Sequence, residues 1–250
     1  MNIILIGRGR MGRLIEEEAL AAGHAVAGAF DRTNLEALDA FSGKADAAID
    51  FSGPQSLPAV LRFVRRTGTP LVSGTTGYTA EQKSAIAELG AFAPVLWSAN
   101  FSLGVAAARK AAALLAEALR PGFDIEITEI HHSQKADAPS GTAKLFAEAV
   151  DPKGELTPVY GREGIVGRRR ADEIGIHALR GGTVPGTHTV YFFGPDETVE
   201  LTHRAGSRRI FALGALRAAE KLQGLKPGCY SLDSLLFPSG SGAAGNRQTD

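Results

Sequence analysis

The densest run of chemically versatile side chains is Glu129-Ile130-His131-His132-Ser133-Gln134-Lys135-Ala136-Asp137-Ala138-Pro139-Ser140-Gly141-Thr142-Ala143. An imidazole gives or takes a proton near neutral pH, which suits a general acid. Lys135 adds a fixed positive charge. Ser140 is a natural N-cap, which leaves the backbone N–H groups of Gly141 and Thr142 at a helix start, where anions bind. A proton donor, a cation and an anion-holding helix start together suit a small carboxylate substrate. The run begins at the end of an expected strand. Successive strand side chains point to opposite faces, so His131 and His132 are expected to have different tasks. The plainer alternative is a polar strand–helix connection with both histidines in structural hydrogen bonds.

A second feature is glycine spacing. Gly7-x-Gly9-x-x-Gly12 follows the apolar run Asn2–Ile6 and opens a segment in which Leu14, Ile15, Glu18 and Ala19 repeat at helical spacing. In a dinucleotide fingerprint the first glycine permits a tight turn, the second lets backbone N–H groups approach a pyrophosphate, and the third allows close helix–strand packing. An acidic residue is expected about 20 residues further on, and Asp31 stands there at the end of a second apolar run. Asp31 would accept hydrogen bonds from a ribose 2′-OH, favouring NADH. Arg32 would stack on adenine and pair with a 2′-phosphate, favouring NADPH. Use of NADH, NADPH or both stays open at this point, beside a solvated charge pair.

These residues need elements to position them. Short apolar runs at residues 2–6, 25–30, 47–51, 70–73 and 95–98 alternate with helix-period segments at 55–66 and 80–89, the latter with Thr79 as an N-cap. Alternation of this kind implies a parallel sheet with crossover helices. The pattern then changes. Residues 102–119 form one Ala/Leu-rich helix, and the β-branched alternating runs 124–130, 174–179, 187–193 and 198–204 imply a second, more antiparallel sheet. A helix over 208–222 follows. The expected fold class is α/β, a Rossmann-like dinucleotide-binding domain plus an α+β substrate and oligomerisation domain with a mixed sheet. The first domain takes residues 1–102 and 208–250, and the second takes 103–207. The Gly/Ser/Ala-rich end, 239–250, is expected to fray.

Composition narrows the function. Lys+Arg and Asp+Glu both number 27 in 250 residues, so no global field favours nucleic acid or an anionic membrane. Apolar content of 44% and charged content of 22% fit a folded soluble protein. The single Cys229 excludes an intrachain disulfide, and no Cys/His ladder suggests a metal. No signal segment or membrane span is apparent, so a cytoplasmic protein is expected. Cys229 reads as a packed thiol. His188 and His203, within expected strands, read as structural hydrogen-bonders. Arg168-Arg169-Arg170 reads as a solvated basic face, with an oligomer contact or substrate attraction as alternatives.

The segment from Glu129 to Ala143 resembles the signature of the dihydrodipicolinate reductase (4-hydroxy-tetrahydrodipicolinate reductase) family of lysine biosynthesis. Gly9-Arg10-Met11-Gly12, Asp50-Phe51-Ser52, Gly74-Thr75-Thr76-Gly77, Ser98-Ala99-Asn100-Phe101-Ser102, Arg180-Gly181-Gly182, Gly186-Thr187-His188-Thr189-Val190 and Ser207-Arg208-x-x-Phe211-Ala212-x-Gly214-Ala215 agree in order, so the similarity runs to about Phe237. The cofactor loop is one residue shorter than the family's usual G-x-x-G-R-M-G, and Phe51-Ser52-Gly53-Pro54 lacks a basic residue that some members carry.

The resemblance implies hydride transfer from a nicotinamide to C4 of a cyclic unsaturated dicarboxylate, followed by protonation at C3. It implies His131 as the general acid and Lys135 as the group that binds and polarises the substrate. His132, Ser140, Gly141 and Thr142 would hold its carboxylates. Gly7, Gly9, Arg10, Met11, Gly12, Asp31, Arg32, Phe51, Ser52, Gly74, Thr75, Thr76, Ala99, Asn100, Phe101 and Arg208 would meet the cofactor. It also implies a homotetramer built through the substrate-domain sheets. The rivals are another two-domain amino- or keto-acid dehydrogenase and a non-catalytic dinucleotide sensor. Neither would need the His131-His132-x-x-Lys135 loop.

Overall fold

A computed structural model describes residues 1–237 of the chain; the segment expected to fray lies outside them. In chain order the elements are β1 (Asn2–Ile6), α1 (Arg10–Ala21), β2 (Ala25–Phe30), α2 (Ala37–Ala40), β3 (Ala47–Asp50), α3 (Leu57–Thr67), β4 (Leu71–Ser73), α4 (Ala80–Glu88) and β5 (Pro94–Trp97). Then come α5 (Leu103–Leu119), β6 (Asp124–His131), α6 (Gly141–Val150), β7 (Thr157–Val159), β8 (Glu173–Arg180), β9 (Thr187–Phe193) and β10 (Thr198–Arg204). The last are α7 (Arg209–Leu222), β11 (Gly228–Tyr230) and α8 (Leu232–Leu236). The chain divides into two compact units, one formed by residues 1–101 with the segment from Arg209 onward and one by Ser102–Arg208.

The first unit is built on a 6-stranded sheet in the order β11-β5-β4-β3-β1-β2. All its pairings are parallel, so every connection is a crossover. Strands β1 and β3 are buried along nearly their whole length because both faces are covered, which explains their largely apolar sequences. Helix α1 turns Gly12, Ile15, Glu18 and Ala19 inward at helical spacing. Glu18, 5% exposed, would be a costly burial without a partner, and Arg209 at the start of α7 supplies one at 2.9 Å. That ion pair ties the first helix to the returning one. The N-cap expected at Thr79 is present, and Gln82 completes a capping box with it, the two bonded reciprocally.

The second unit carries a 5-stranded sheet in the order β10-β9-β6-β8-β7. It is mixed. β6 pairs antiparallel with β9 and parallel with β8, which agrees with the mixed sheet expected of this domain. The parallel pair is possible because α6 and the long connection after it return the chain before β8 begins. β6 is therefore central, and its residues alternate between one buried face and one half-exposed face. Ile125 and Ile127 pack with Val190, Phe192, Phe146 and the α5 alanines Ala112 and Ala116. Helices α5 and α6 start at the serine N-caps Ser102 and Ser140, whose hydroxyls accept Val105 N–H and Ala143 N–H. Each hydroxyl also meets a strand histidine: Ser102 meets His203 at 3.3 Å, and Ser140 meets His188 at 2.9 Å. These are the structural bonds expected of those two residues.

Phe146 has no exposed surface and anchors α6 against the sheet. Phe146→Ala should lower stability by about 3–5 kcal/mol in urea unfolding. A loss below about 1 kcal/mol would contradict this packing.

Candidate active site

In the first unit the glycine loop runs from β1 into α1. Gly7 has φ +96°, and a side chain there would come within 2.4 Å of the Phe51 carbonyl oxygen. A methyl on Gly12 would come within 1.8 Å of the Gly7 oxygen. Gly9 faces open space, and as N-cap of α1 it brings no side-chain bond to the helix's first N–H groups. Uncapped donors beside an open glycine surface fit a pyrophosphate, and Arg10 and Met11 lie in that first turn. Gly7 N–H donates to Phe30 O at 2.7 Å, which places Asp31 at the next strand end. Asp31 Oδ1 accepts from Thr33 N at 2.9 Å and Thr33 Oγ1 at 2.6 Å. These bonds hold its carboxyl below the usual range. Arg32 is exposed.

The neighbouring strand ends are organised by one carboxylate. Asp50, the last residue of β3, is 0% exposed. It accepts from Ser52 N and Oγ, from Ser73 Oγ at 2.8 Å, from Thr75 Oγ1 at 2.9 Å and from Tyr78 Oη at 3.2 Å. Ser52 N–H also donates to Thr75 Oγ1 at 3.0 Å, and Trp97 Nε1 donates to Thr75 O at 2.8 Å. Phe51, Ser52, Gly74, Thr75 and Thr76 thus form one connected rim at the carboxyl ends of β3 and β4, where open α/β sheets bind ligands. Phe51 packs on Phe101 with ring centroids 5.5 Å apart, and a side chain on Gly74 would strike the Phe51 ring at 2.3 Å. Ala99 and Asn100 follow β5, with Asn100 N–H bonded to Ser98 Oγ. Burial, with the charge of Asp50, pushes Tyr78 up to about 12.

In the second unit the carboxyl end of β6 gathers the rest. Glu129 is 0% exposed and accepts from Arg180 twice at 2.8 Å, from His131 Nδ1 at 2.6 Å and from Ser140 N at 3.0 Å. Burial alone would raise its pKa, but these donors outweigh it and hold the carboxyl below the usual range. The register puts Arg180 beside His131 and His188 opposite Glu129. The His131 and His188 rings meet edge to face at 5.1 Å. Burial pushes His131 below the ordinary histidine value against the pull of Glu129, and Lys135 and Arg180 add to the lowering. Burial pushes His188 down to about 3. Gly186 stands next to His131 Nε2, and a side chain there would come within 3.0 Å of it.

Past β6 the chain turns away. His132 leaves the sheet, its N–H bonded to Val184 O at 2.9 Å, and it is half-buried where His131 is buried. Lys135 Nζ meets Asp137 at 2.7 and 2.9 Å, and Arg180 reaches the Asp137 carbonyl at 2.7 Å. Ser140, 2% exposed, commits its hydroxyl to Ala143 N–H and His188. Its part is to shape the start of α6, which leaves Gly141, facing open space, as the accessible position. Among the described residues no group of three or more His, Cys, Asp or Glu could hold a metal ion.

Two family models account for nearly the whole described chain: dihydrodipicolinate reductase, N-terminus, over residues 1–101, and dihydrodipicolinate reductase, C-terminus, over residues 104–236. The chain belongs to the dihydrodipicolinate reductase family. The 4-hydroxy-tetrahydrodipicolinate reductase of Exiguobacterium sp. is 42% identical over 241 residues, 94% of this chain and 95% of that one. The enzyme of the same name from Akkermansia muciniphila is also 42% identical, covering 94% of this chain and 98% of the relative. A dipicolinate-bound dihydrodipicolinate reductase from Paenisporosarcina sp. TG-14 shares the fold, with a TM-score of 0.74 at 22% identity over 95% of this chain and 99% of that one. The chain is thus an oxidoreductase of this family with a nicotinamide-cofactor fold.

Some residues depart from sequence expectation. Arg169 is no solvated cation: its guanidinium meets Asp124, Glu126 and the carbonyls of Ile125 and Glu173. Arg170 pairs with Asp172. The run looked solvated because its acidic partners on β6 lie 43 and 45 residues away. Cys229 is exposed as a residue, but its Sγ donates to Ala87 O at 3.1 Å and burial raises its pKa, so it is a poor nucleophile. Arg208 is exposed in the turn before α7. Sequence reasoning assigned no part to Asp50, Glu129, Arg180 or Gly186. A signal existed only for Glu129, because the spacing Glu129-x-His131 on a strand puts both side chains on one face.

Glu126, on the other face of β6, makes a pH prediction possible. Burial would raise it, but Arg162, His177 and Arg169 outweigh burial and hold it at about 2. Its contribution is complete above its unfolded value of 4.5 and is lost as pH falls toward 2. His188 acts earlier: below its unfolded value of 6.5 the unfolded chain takes up a proton that the folded chain refuses until about 3. Melting temperature should therefore fall from pH 6.5 downward, and more steeply below 4.5. In Glu126→Gln the lower limb should flatten; an unchanged lower limb would rule out this role.

Proposed function

We propose that the chain reduces 4-hydroxy-tetrahydrodipicolinate (dihydrodipicolinate) to tetrahydrodipicolinate in the diaminopimelate–lysine pathway, with His131 protonating C3 after hydride reaches C4. The bound nicotinamide cofactor supplies that hydride. Gly7, Gly9, Arg10, Met11 and Gly12 would hold its pyrophosphate at the start of α1, and Asp31 and Arg32 its adenosine end. Phe51, Ser52, Gly74, Thr75, Thr76, Ala99, Asn100 and Phe101 would receive its nicotinamide half, and Arg208 would also meet the cofactor. Hydride addition leaves negative charge on the conjugated ring, and a nearby proton donor and ammonium stabilise it.

The observation that carries this reading is the sequence of groups along one strand–loop–helix segment. His131 ends β6 with its Nε2 beside a glycine, Lys135 follows in the turn, and Gly141 opens α6. Lys135 would exchange the Asp137 carboxylate for one from the substrate. His132, Gly141 and Thr142 would take the other, with Ser140 setting the helix start. His131→Gln should lose most of kcat with a smaller change in KM, followed as NAD(P)H oxidation with the coupled synthase product. Full activity in that variant would remove His131 from the chemistry.

Cofactor choice rests on Asp31 and Arg32. One oxygen of Asp31 is engaged by Thr33 while Arg32 is exposed, so neither feature overrides the other. We expect both NADH and NADPH to serve, with kcat/KM values within about a hundredfold of each other, the span of a few kcal/mol. A wider ratio would overturn dual use. Self-association into a homotetramer is supported by the half-exposed face of the second sheet, where Tyr191 stacks on Phe193, and Leu179 and Phe193 are 48% and 41% exposed. No helix among the described residues is long and apolar enough to cross a membrane, and a cytoplasmic setting suits a biosynthetic reductase.

A further inference from the structure

We propose that Glu129, clamped by Arg180, is the positioning residue that sets the tautomer and proton affinity of His131, and that Arg180 couples this setting to the Lys135–Asp137 pair. The inference rests on the reading of His131 as proton donor. It begins with an inventory of donors. Glu129 Oε1 is met by Ser140 N and Arg180 Nη2, and Oε2 by Arg180 Nη1 and His131 Nδ1. A backbone N–H and a guanidinium can only donate, and an ionised carboxylate can only accept. His131 Nδ1 must therefore carry hydrogen at all times. Neutral His131 is the Nδ1–H tautomer, and a second proton can enter and leave only at Nε2. That atom lies beside Gly186, where any side chain would stand within 3.0 Å of it. The glycine keeps the exchanging nitrogen clear.

The charges facing His131 come from several elements. Glu129 is on its own strand, Arg180 on β8 and Lys135 on the following loop, while His188 on β9 is kept uncharged by burial. Asp137 acts through Lys135 and through the carbonyl that Arg180 holds. Burial of the ring disfavours the imidazolium, and among the described residues Glu129 is the only negative group in direct contact to oppose it. Arg180 limits how strongly it does so, because both guanidinium nitrogens share the same carboxylate. The two residues therefore act on His131 in opposite directions. A cross-strand clamp with only a structural role would give loss of stability in both variants and no such opposition.

The test is a pH titration of the intact protein labelled with 15N-histidine, with His131→Gln identifying the His131 signals. Wild type should show His131 as the Nδ1–H tautomer. In Glu129→Gln the His131 midpoint should fall, and in Arg180→Gln it should rise, each by about one pH unit or more, the effect of removing a neighbouring charge. The basic limb of kcat should move with the midpoint while KM changes less, and Arg180→Lys should restore most of the wild-type limb. An Nε2–H tautomer in wild type, or midpoints that stay put or move in the same direction, would overturn the proposal. The wild-type tautomer needs no variant, so a misfolded Glu129→Gln does not protect the idea. Full activity in His131→Gln would instead remove the proton-donor reading, a separate outcome.

Discussion

A negative charge sits at Glu129 with no solvent contact, and much of the second unit is arranged around what that charge requires. An unpaired carboxylate in such a place costs several kcal/mol, and removing one partner from an established buried pair costs about 3–5 kcal/mol. The partners that satisfy Glu129 arrive from its own strand, from Arg180 on β8 and from the backbone at Ser140. Each dictates something further. Arg180 fixes the register of the parallel pair, Ser140 fixes where α6 begins, and His131 is held with one ring nitrogen inward. Moving β6 to an edge of the sheet would remove at least one of these donors.

Asp50 in the first unit meets the same problem with different chemistry. Its partners are the hydroxyls of Ser52, Ser73, Thr75 and Tyr78 and one backbone N–H, with no guanidinium among them. Hydroxyls at strand ends are short and local, so the carboxylate stitches together the loops after β3 and β4. The Glu129 cluster instead includes a ring that can titrate. Both carboxylates lie toward the carboxyl ends of their strands. In each unit the loops at that end are tied together by a buried acid.

The opposite face of β6 shows how misleading a charge count along the chain can be. The arginine run at 168–170 reads as a basic surface, yet Arg169 is absorbed by Asp124, Glu126 and two carbonyls, and Arg162 adds a second guanidinium to Glu126. The chain's balanced net charge is thus also balanced locally. Leu179, Tyr191 and Phe193 lie on the same face, beside these paired charges.

Much was legible in the residues themselves. Alternating strands and helices announced the parallel sheet, the glycine spacing placed the turn from β1 into α1, and Thr79, Ser102 and Ser140 marked helix starts, because these signals depend on neighbours within a few residues. Short elements such as β7 and β11 were missed, since three residues carry too little periodicity to read. The set of residues behind His131 was also out of reach. The sequence by itself determined the candidate side chains and the family to which the chain belongs. Only the tertiary structure decided that Arg180, 51 residues from Glu129, and His188, 48 residues from Ser140, complete the cluster. The physical reason is that a buried charge recruits donors through strand register, and register is set by the packing of the whole sheet.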